Sequence, residues 1–314
     1  MIDRRSISRT ARCAGIALAG CGLWLTATTA VPAKAPEPGK GSKLDLSGYR
    51  LTFDEEFNTF SAAPPGTPAT WETAYFHGAR KGPGYLLDPS VGGVGETPYS
   101  LKDGVLNIQT KATTPKLKAA GVTDPYTTGQ IDTHNSFSQQ YGYFEMRGQV
   151  SGVVGSSNAF WLMPLSGPWP PEIDIMEVAG QSPNDLSVTN HFDKTGVATT
   201  DCYDAGDLSR GMHVYGLMWT PTTLTWFLDG KSVFIAPTQP DEHQPMYLLI
   251  SLYTHSETSW LQKPKDPSSY QANYKIDWVH VYTNDPHART IAGQPGYRDH
   301  DGSASLGSLS DSHR

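Results

Sequence analysis

Cysteine is scarce in this chain. Two of its three cysteines, Cys13 and Cys21, fall in an N-terminal stretch that we interpret below as an export signal. Cys202 is then the one cysteine of the remaining chain, which excludes an internal disulfide there and any metal site built from several thiolates. We therefore expect Cys202 to be a partly buried thiol.

Basic clusters and helical periodicity are also missing. The formal net charge is −7, and no cluster of Lys and Arg follows the N-terminal stretch, which argues against nucleic acid as a partner. Almost no window of about ten residues spaces its apolar side chains as a helix would. The absence of strands alternating with helices also excludes a parallel α/β sheet.

The N-terminus has the layout of an export signal over residues 1–30. Four arginines come first, then an apolar stretch from Ala14 to Leu25, then the small residues "TATTA", so we predict cleavage after Ala30. Two alternatives stay open. "LAGC" resembles the lipobox of bacterial lipoproteins, which would place a lipid anchor on Cys21. The apolar run also approaches the roughly 20 residues that span a bilayer, so an uncleaved anchor is the second alternative.

The rest of the chain divides into three parts. Residues 31–43 are rich in Pro, Ala and Lys and are interpreted as a linker. Residues 44–285 suffice for one large domain, and residues 286–314 lack apolar periodicity and are interpreted as a disordered tail. We expect an exported, periplasmic or secreted monomer without a membrane span in its mature form.

Alternation of apolar and polar residues dominates the domain. "YGYFEMRGQV" is one example, and "TLTWFLDGKSVFI" and "SLKDGVLNIQT" predict hairpins that turn at Asp229-Gly230 and Asp103-Gly104. Many short strands between Gly, Pro and Asn turns predict an all-β sandwich or barrel.

Three acids stand within six positions of one predicted strand. In "PPEIDIMEVAG" strict alternation puts Glu172 and Asp174 on one face of the strand but sends Glu177 to the other. One extra residue, a β-bulge near Ile175 and Met176, would return Glu177 to the face of the other two acids. The longer second gap therefore predicts a bulge that keeps three carboxylates on one surface.

The spacing of Glu172 and Glu177 suits a specific chemistry. Four regular steps separate their backbones by about 13 Å, and two inward-leaning Glu side chains would bring the carboxyls within the roughly 5–5.5 Å that retaining glycosidases use. Asp174 between them should raise at least one pKa, as a general acid requires. Two other readings of the acids stay open at this stage, a calcium site and a charged strand face or edge.

Asp277 is a fourth carboxylate of interest. It lies two and four residues before Val279 and Val281 in "YKIDWVHVYT", so regular alternation would point it into the core. A buried carboxylate needs a hydrogen-bonding partner or a metal, and the pattern leaves both open.

The residues resemble those of glycoside hydrolase family 16, in its laminarinase-like bulged form. The motif "EIDIME" carries the resemblance together with, in order, "FDEEF", "YGYFEMRGQV", "AFWLMP", "HVYGLMWTP", "TWFLDGKSVF" and "IDWVHVY". The resemblance implies a concanavalin-like β-jelly-roll of two curved antiparallel sheets with a concave substrate cleft. It implies Glu172 as nucleophile, Glu177 as acid/base and Asp174 as the assisting acid, with no cofactor for the chemistry.

The resemblance also implies further site residues. Substrate contacts are expected at Trp169, Asn190, His191, Gln130, Asp132 and Tyr253. A structural Ca²⁺ is expected on the convex side, held by Asp277, a backbone carbonyl at Gly104 and Glu56.

The implied function is retaining endo-hydrolysis of a polysaccharide, either a β-1,3 or mixed β-1,3/1,4 glucan or a related exopolysaccharide. A non-catalytic glycan-binding protein and a transglycosylase on the same fold are the alternatives. The segment "HGARKGPGYLLDPSVGGVGETPY" departs from the family pattern near the first cleft strand, so the substrate is less determined than the chemistry.

Overall fold

A computed structural model describes residues 43–165, 168–193, 197–256 and 260–285 of the chain. The predicted export signal and the predicted tail lie outside the described residues, as do all but the last residue of the predicted linker. The domain boundaries therefore stay a prediction. No helix among the described residues has the length and apolar character needed to cross a membrane.

The described chain forms two mainly antiparallel sheets. Sheet 1 contains β1 Arg50–Glu55, β4 Lys81–Gly82, β5 Gly84–Leu86, β6 Tyr99–Lys102, β7 Val105–Ala112, β9 Gly142–Gln149, β14 His213–Trp219, β15 Thr223–Leu228, β16 Lys231–Pro237 and β18 Gln271–Thr283. Sheet 2 contains β2 Ala62–Ala63, β3 Trp71–Glu72, β8 Tyr126–Asp132, β10 Ser156–Pro164, β11 Glu172–Ala179, β12 Asp185–Phe192, β13 Val197–Asp204 and β17 Met246–Thr254.

Helical structure is confined to short pieces in the described part of the chain. They are α1 Pro115–Ala119, capped by the Thr114 side chain, and the 3₁₀ turns Val91–Gly93, Leu208–Arg210 and Pro240–Glu242. The expectation of an all-β fold is confirmed.

Strand order places β11 inside sheet 2. The order is β3–β8–β17–β10–β11–β12–β13, and every one of these neighbours is antiparallel. In sheet 1 the order is β6–β7–β18–β9–β14–β15–β16, with β1 beside the second half of β18. The long strand β8 also pairs with β7 and β5, which joins the two sheets at one corner.

Both predicted hairpins are confirmed. Asp103-Gly104 joins β6 to β7 and Asp229-Gly230 joins β15 to β16, each as a two-residue loop. All four residues have positive φ, between 49° and 76°, which is the conformation that a type I′ turn requires and that Asp-Gly pairs tolerate.

The core lies between the two sheets and is built by alternation. On β11 the core-facing side chains are Ile173, Ile175, Met176 and Val178, all at most 1% exposed. Ile175 and Met176 are adjacent, so the alternation breaks there. Between Asp174 and Glu177 the chain advances three residues, whereas its partner β12 advances only two. The predicted bulge is therefore confirmed, at the predicted residues.

A tryptophan from the opposite sheet holds the bulge. Trp226 on β15 is fully buried, and its indole Nε1 donates a 2.9 Å hydrogen bond to the backbone oxygen of Asp174. A bulge leaves backbone groups without regular ladder partners, so a donor from across the core stabilises the irregular turn of the strand at this point.

A second bulge changes the direction of Asp277. On β18 the buried residues are Ile276 and then Val279, three positions apart, and the pairing with β9 shifts between them. Asp277 is consequently half-exposed and pairs with the Arg147 guanidinium. The prediction that Asp277 points into the core is wrong, because it assumed unbroken alternation.

Cys202 is disulfide-bonded. The expectation of a thiol at this position is therefore wrong for the full chain. That expectation counted only the cysteines that would remain after cleavage of the predicted export signal.

The Trp226 bond can be isolated by a matched pair of substitutions. Trp226→Phe removes the donor to the bulge, and we expect the free energy of unfolding to fall by about 1–3 kcal/mol more than in the control, because a buried carbonyl loses its partner. Urea unfolding measures both.

The control is Trp219→Phe. Trp219 is also a core tryptophan, 1% exposed, but its indole Nε1 has no hydrogen-bond partner. The two substitutions remove the same atoms and differ in the bond, so equal losses of stability would show that Trp226 contributes only packing.

Candidate active site

Three carboxylates share the face of sheet 2 that points away from the core. Glu172 and Glu177 are half-buried, and Asp174 between them is 3% exposed. The neighbouring strand β12 places His191 directly beside Glu172, as its partner in the strand register. Ligand atoms of Glu172, Asp174 and His191 all lie within 4.8 Å of one another, so these two acids form a compact cluster with the imidazole.

Hydrogen bonds orient the cluster. The indole Nε1 of Trp169 donates to Glu172 Oε2 at 2.6 Å, and His191 Nε2 lies 3.3 Å from Asp174 Oδ2. The carboxyl groups of Glu172 and Asp174 are close enough to affect each other's pKa directly. A hydrogen bond between them needs a proton on one of the two, since two ionised carboxylates have none to donate.

Burial and mutual repulsion raise the pKa of all three acids. Burial first, and then the charge of Asp174, raises the pKa of Glu172 to about 8. Burial and the charge of Glu172 raise the pKa of Glu177 to about 7. The pKa of Asp174, the most buried, is raised by burial and by the charge of Glu177. Near neutral pH the cluster therefore retains at least one proton, and its titration belongs to the group as a whole.

The cluster does not suit calcium, one of the readings that the sequence left open. Ca²⁺ prefers six to eight oxygen ligands, whereas one of the three side chains here is an imidazole. An indole N–H already occupies an oxygen of Glu172, and protons shared among the acids compete further.

A chain of hydrogen bonds runs beside the acids along the same face of sheet 2, which we call the floor of the site. Tyr75 Oη lies 2.6 Å from Tyr253 Oη, Tyr253 donates to Gln130 Oε1, and Gln130 Nε2 lies 3.4 Å from Asp132 Oδ2. Gln130 and Asp132 are at most 1% exposed, and burial raises the pKa of Asp132 to about 8. Gln130 and Asp132 are thus buried and hold Tyr253 in place through hydrogen bonds. Tyr75 and Tyr253 lie between these two residues and the acids.

Sequence reasoning missed Tyr75. The charge of Glu172 contributes to the raised pKa of the Tyr75 phenol, after the larger effect of burial, so the two side chains are close. Nothing in the local sequence "WETAYFHG" marks this tyrosine, because the contact depends on where the loop after β3 folds.

Asn190 is not on the face of the acids. It pairs in register with the core residue Ile173, is fully buried, and its side chain lies beside Glu242. The expectation that Asn190 contacts substrate is therefore not met by this geometry. His191, one residue along, has the opposite orientation and does join the cluster.

The residues of the expected calcium site have other partners. Gly104 lies near the backbone oxygen of Glu56, but the Glu56 side chain accepts from His280 Nε2 at 2.7 Å, and Asp277 is paired with Arg147. A guanidinium beside the central carboxylate repels a cation, so these residues do not fit a calcium ion.

Comparisons with known proteins agree with this geometry. The family model described as "Glycosyl hydrolases family 16" matches residues 96–280, more than half of the chain. The chain belongs to this family.

Family 16 relatives resemble the chain over most of its length. It is 35% identical over 252 residues to endo-1,3-1,4-beta-glycanase EglC of Rhizobium meliloti (strain 1021), and 33% identical over 253 residues to ExsH of the same organism. Each alignment covers 77% of this chain and 53% of the relative. The chain thus spans about half the length of these curated relatives.

Solved structures of the family share the fold. SCLam, a non-specific endo-beta-1,3(4)-glucanase, superposes with a TM-score of 0.65 at 23% identity, over 78% of this chain and 96% of that one. The laminarinase of Rhodothermus marinus gives 0.60 at 22% identity, over 75% and 97%. The expected jelly-roll fold is thereby confirmed.

The raised pKa values predict a pH-dependent cost. Between the ordinary pKa of 4.5 and the raised value of about 8 at Glu172, the folded acid cluster holds a proton that the unfolded chain has lost, so the free energy of unfolding falls as pH rises through this window. Glu172→Gln removes the ionisable group. We expect the free energy of unfolding of the variant, relative to that of the wild type, to be about 1 kcal/mol higher at pH 8 than at pH 5, allowing for partial exposure.

Urea unfolding at the two pH values is the measurement, and Asp103→Asn is the control. Asp103 is exposed in a hairpin turn where Asn tolerates the positive φ of 53°. A Glu172→Gln difference from the wild type that is the same at both pH values would contradict the proton-sharing cluster.

The calcium question has its own test. Asp277→Asn should lower the free energy of unfolding by less than about 1 kcal/mol, as expected for a partly exposed ion pair. The loss should be equal in EDTA and in added Ca²⁺. A stabilisation by Ca²⁺ that the wild type shows and Asp277→Asn lacks would restore the calcium site.

Proposed function

We propose that this protein is a retaining, endo-acting glycoside hydrolase that cleaves β-1,3 or mixed β-1,3/1,4 glucan chains, or a related exopolysaccharide, through a covalent glycosyl-enzyme. The observation that supports it best is the bulge in β11, which puts Glu172 and Glu177 on one surface around a proton-sharing Asp174. The printed names of the relatives, endo-1,3-1,4-beta-glycanase and endo-beta-1,3(4)-glucanase, support the substrate class.

Glu172 is the proposed nucleophile. Its Oε2 accepts from the Trp169 indole, a bond that favours the ionised form. Asp174 is the more buried of the two, so it is the better place for the shared proton, which it donates to Glu172. A fixed indole and a protonated Asp174 then orient a carboxylate for attack on the anomeric carbon.

Glu177 is the proposed acid/base. A carboxyl whose pKa is raised to about 7 is still largely protonated in mildly acidic solution, which a general acid needs. In the first step it gives its proton to the leaving glycosidic oxygen while the bond from the anomeric carbon to Glu172 forms. In the second it takes a proton from water, which attacks the same carbon and releases Glu172. The two inversions together retain configuration, and no cofactor enters.

Export of the domain is part of the proposal. The basic, apolar and small-residue order of residues 1–30 is typical of a secretory signal, and a polysaccharide substrate is too large to enter a cell. The periplasm or the medium is therefore the proposed compartment.

The two glutamates can be separated by leaving-group chemistry. With a polymeric β-glucan, Glu172→Gln and Glu177→Gln should each lose at least about 10²–10⁴-fold in kcat/KM. With an aryl glycoside whose phenolate leaves without protonation, Glu177→Gln should still form the glycosyl-enzyme and show a burst of phenolate. Glu172→Gln should show none.

Stopped-flow absorbance measures the burst, and NMR of the first-formed anomer tests retention. An inverted product, or a Glu172→Gln variant that turns over polymer at the wild-type rate, would refute the assignment. Longer transfer products with few new reducing ends would identify a transglycosylase using the same two residues.

A further inference from the structure

A second aromatic feature lies on the face of sheet 2 that carries the acids, at the end of β8. The chain after β3 makes a tight turn in which the backbone amide of Gly78 donates to the backbone carbonyl oxygen of Tyr75 at 2.6 Å. Phe76 lies at the corner of this turn and is 49% exposed, although its neighbour Tyr75 is tied into the floor. A single half-exposed apolar ring is common on protein surfaces, so the surroundings of Phe76 decide whether it can hold a ligand.

Phe76 is rigidly backed. Its ring stacks on His134 with centroids 4.5 Å apart and planes 12° apart. His134 in turn contacts Tyr247 edge-on at 5.0 Å, and its backbone amide donates to Asp132 Oδ1 at 3.1 Å. His134 therefore backs the Phe76 ring, and the neighbouring His77 ring makes an edge contact with it at 5.0 Å. About half of the Phe76 side chain remains exposed, and a pre-ordered ring loses little entropy when a ligand covers it.

The distance from the Phe76–His134 pair to the acids follows from the number of strands between them. Tyr247 on β17 pairs with Met163 on β10, and β10 is the neighbour of β11. β8, whose end leads into His134, is three strands from β11, which corresponds to roughly 14 Å at ordinary strand spacing. The charge of Glu172 contributes to the raised pKa of Tyr247, so Tyr247 lies between the acids and the platform.

We propose that Phe76, stacked on His134, is a platform for a sugar ring several residues away from the bond that is cleaved. The ligand is a β-linked glucosyl residue, because a ring whose substituents are all equatorial presents a flat C–H face that suits an aromatic side chain. Asn135, exposed beside His134, donates from Nδ2 to Glu72 Oε1 and contacts His134 Nδ1 through Oδ1 at 3.2 Å, so only its second amide hydrogen is left for a hydroxyl at the ring edge. This proposal deepens the proposed function and rests on it.

The family assignment does not supply this residue. Tyr75, Phe76 and the turn lie before residue 96, where the match to the family model begins. Tyr75 and Phe76 come immediately before the stretch, starting at His77, that departs from the family pattern in the sequence. The platform accordingly predicts a property of this chain, a preference for long substrates on the β8 side of the acids.

The test compares substrates of different length. We expect Phe76→Ala to lower the ratio of kcat/KM for a long mixed-linked glucan to that for a short aryl β-glucoside by about five- to tenfold, mainly through KM, the size of one lost aromatic contact. Phe76→Trp should restore the ratio. The matched control is Tyr203→Ala, which removes another aromatic side chain, 38% exposed, from β13 on the other side of the acids; its ratio should equal that of the wild type.

Binding without turnover separates this proposal from the proposed function. In the Glu172→Gln background, calorimetry with β-1,3/1,4 gluco-oligosaccharides of increasing length should show affinity rising with length, and Phe76→Ala should remove the rise. An equal affinity for long chains with and without Phe76 overturns the platform, whatever the activity. A wild type that binds through Phe76 but cleaves no glucan would instead refute the proposed function and leave a glycan-binding protein.

A second copy of this chain is the other partner that could cover the Phe76 ring. Sedimentation of the wild type and of Phe76→Ala at the same concentrations decides it. A dimer that Phe76→Ala dissociates would overturn the sugar platform, and two monomeric proteins would support it.

Discussion

The hydrogen bond from Trp226 to the backbone of Asp174 is the contact on which the site depends. It joins the two sheets at the irregular point of β11, where two successive side chains, Ile175 and Met176, both enter the core. A strand without that irregularity would direct Glu177 into the apolar interior. The bulge therefore decides whether the chain has three acids on a surface or two acids there and a third buried without a partner.

The acid cluster is energetically unfavourable and has support from outside β11. Burial and mutual repulsion raise the pKa of Glu172, Asp174 and Glu177 alike, so the fold holds protons that the free side chains would release. Trp169 and His191 offset part of this cost. Catalytic groups are commonly placed in such environments, because the perturbation that destabilises the fold is the one that matches a carboxyl to proton transfer near neutral pH.

Much of this could be predicted from the sequence, and the failures have a common cause. Side-chain period and Asp-Gly turns predicted the all-β fold and both hairpins, and the uneven spacing of the acids predicted the bulge. The predictions for Asn190 and Asp277 failed because the face on which each side chain lies was inferred without the strand register. Asn190 is one of the residues of β12 that point into the core, and a bulge in β18 turns Asp277 outward. A bulge is visible in a sequence only where it interrupts an unusual pattern, as three acids do and a single Asp does not.

Tyr75 and Phe76 show what local pattern cannot contain. They are adjacent in the chain but have opposite surroundings, because Tyr75 bonds to Tyr253 in the floor and Phe76 stacks on His134 in the open. Both contacts join residues far apart in sequence, and both depend on β8 and β17 lying side by side in sheet 2. The acids can be recognised within one strand, whereas the surface that would choose their substrate is assembled across β3, β8, β17 and β10. It follows that two chains with the same three acids can have the same chemistry and still differ in the length and linkage of the glycan that they hold.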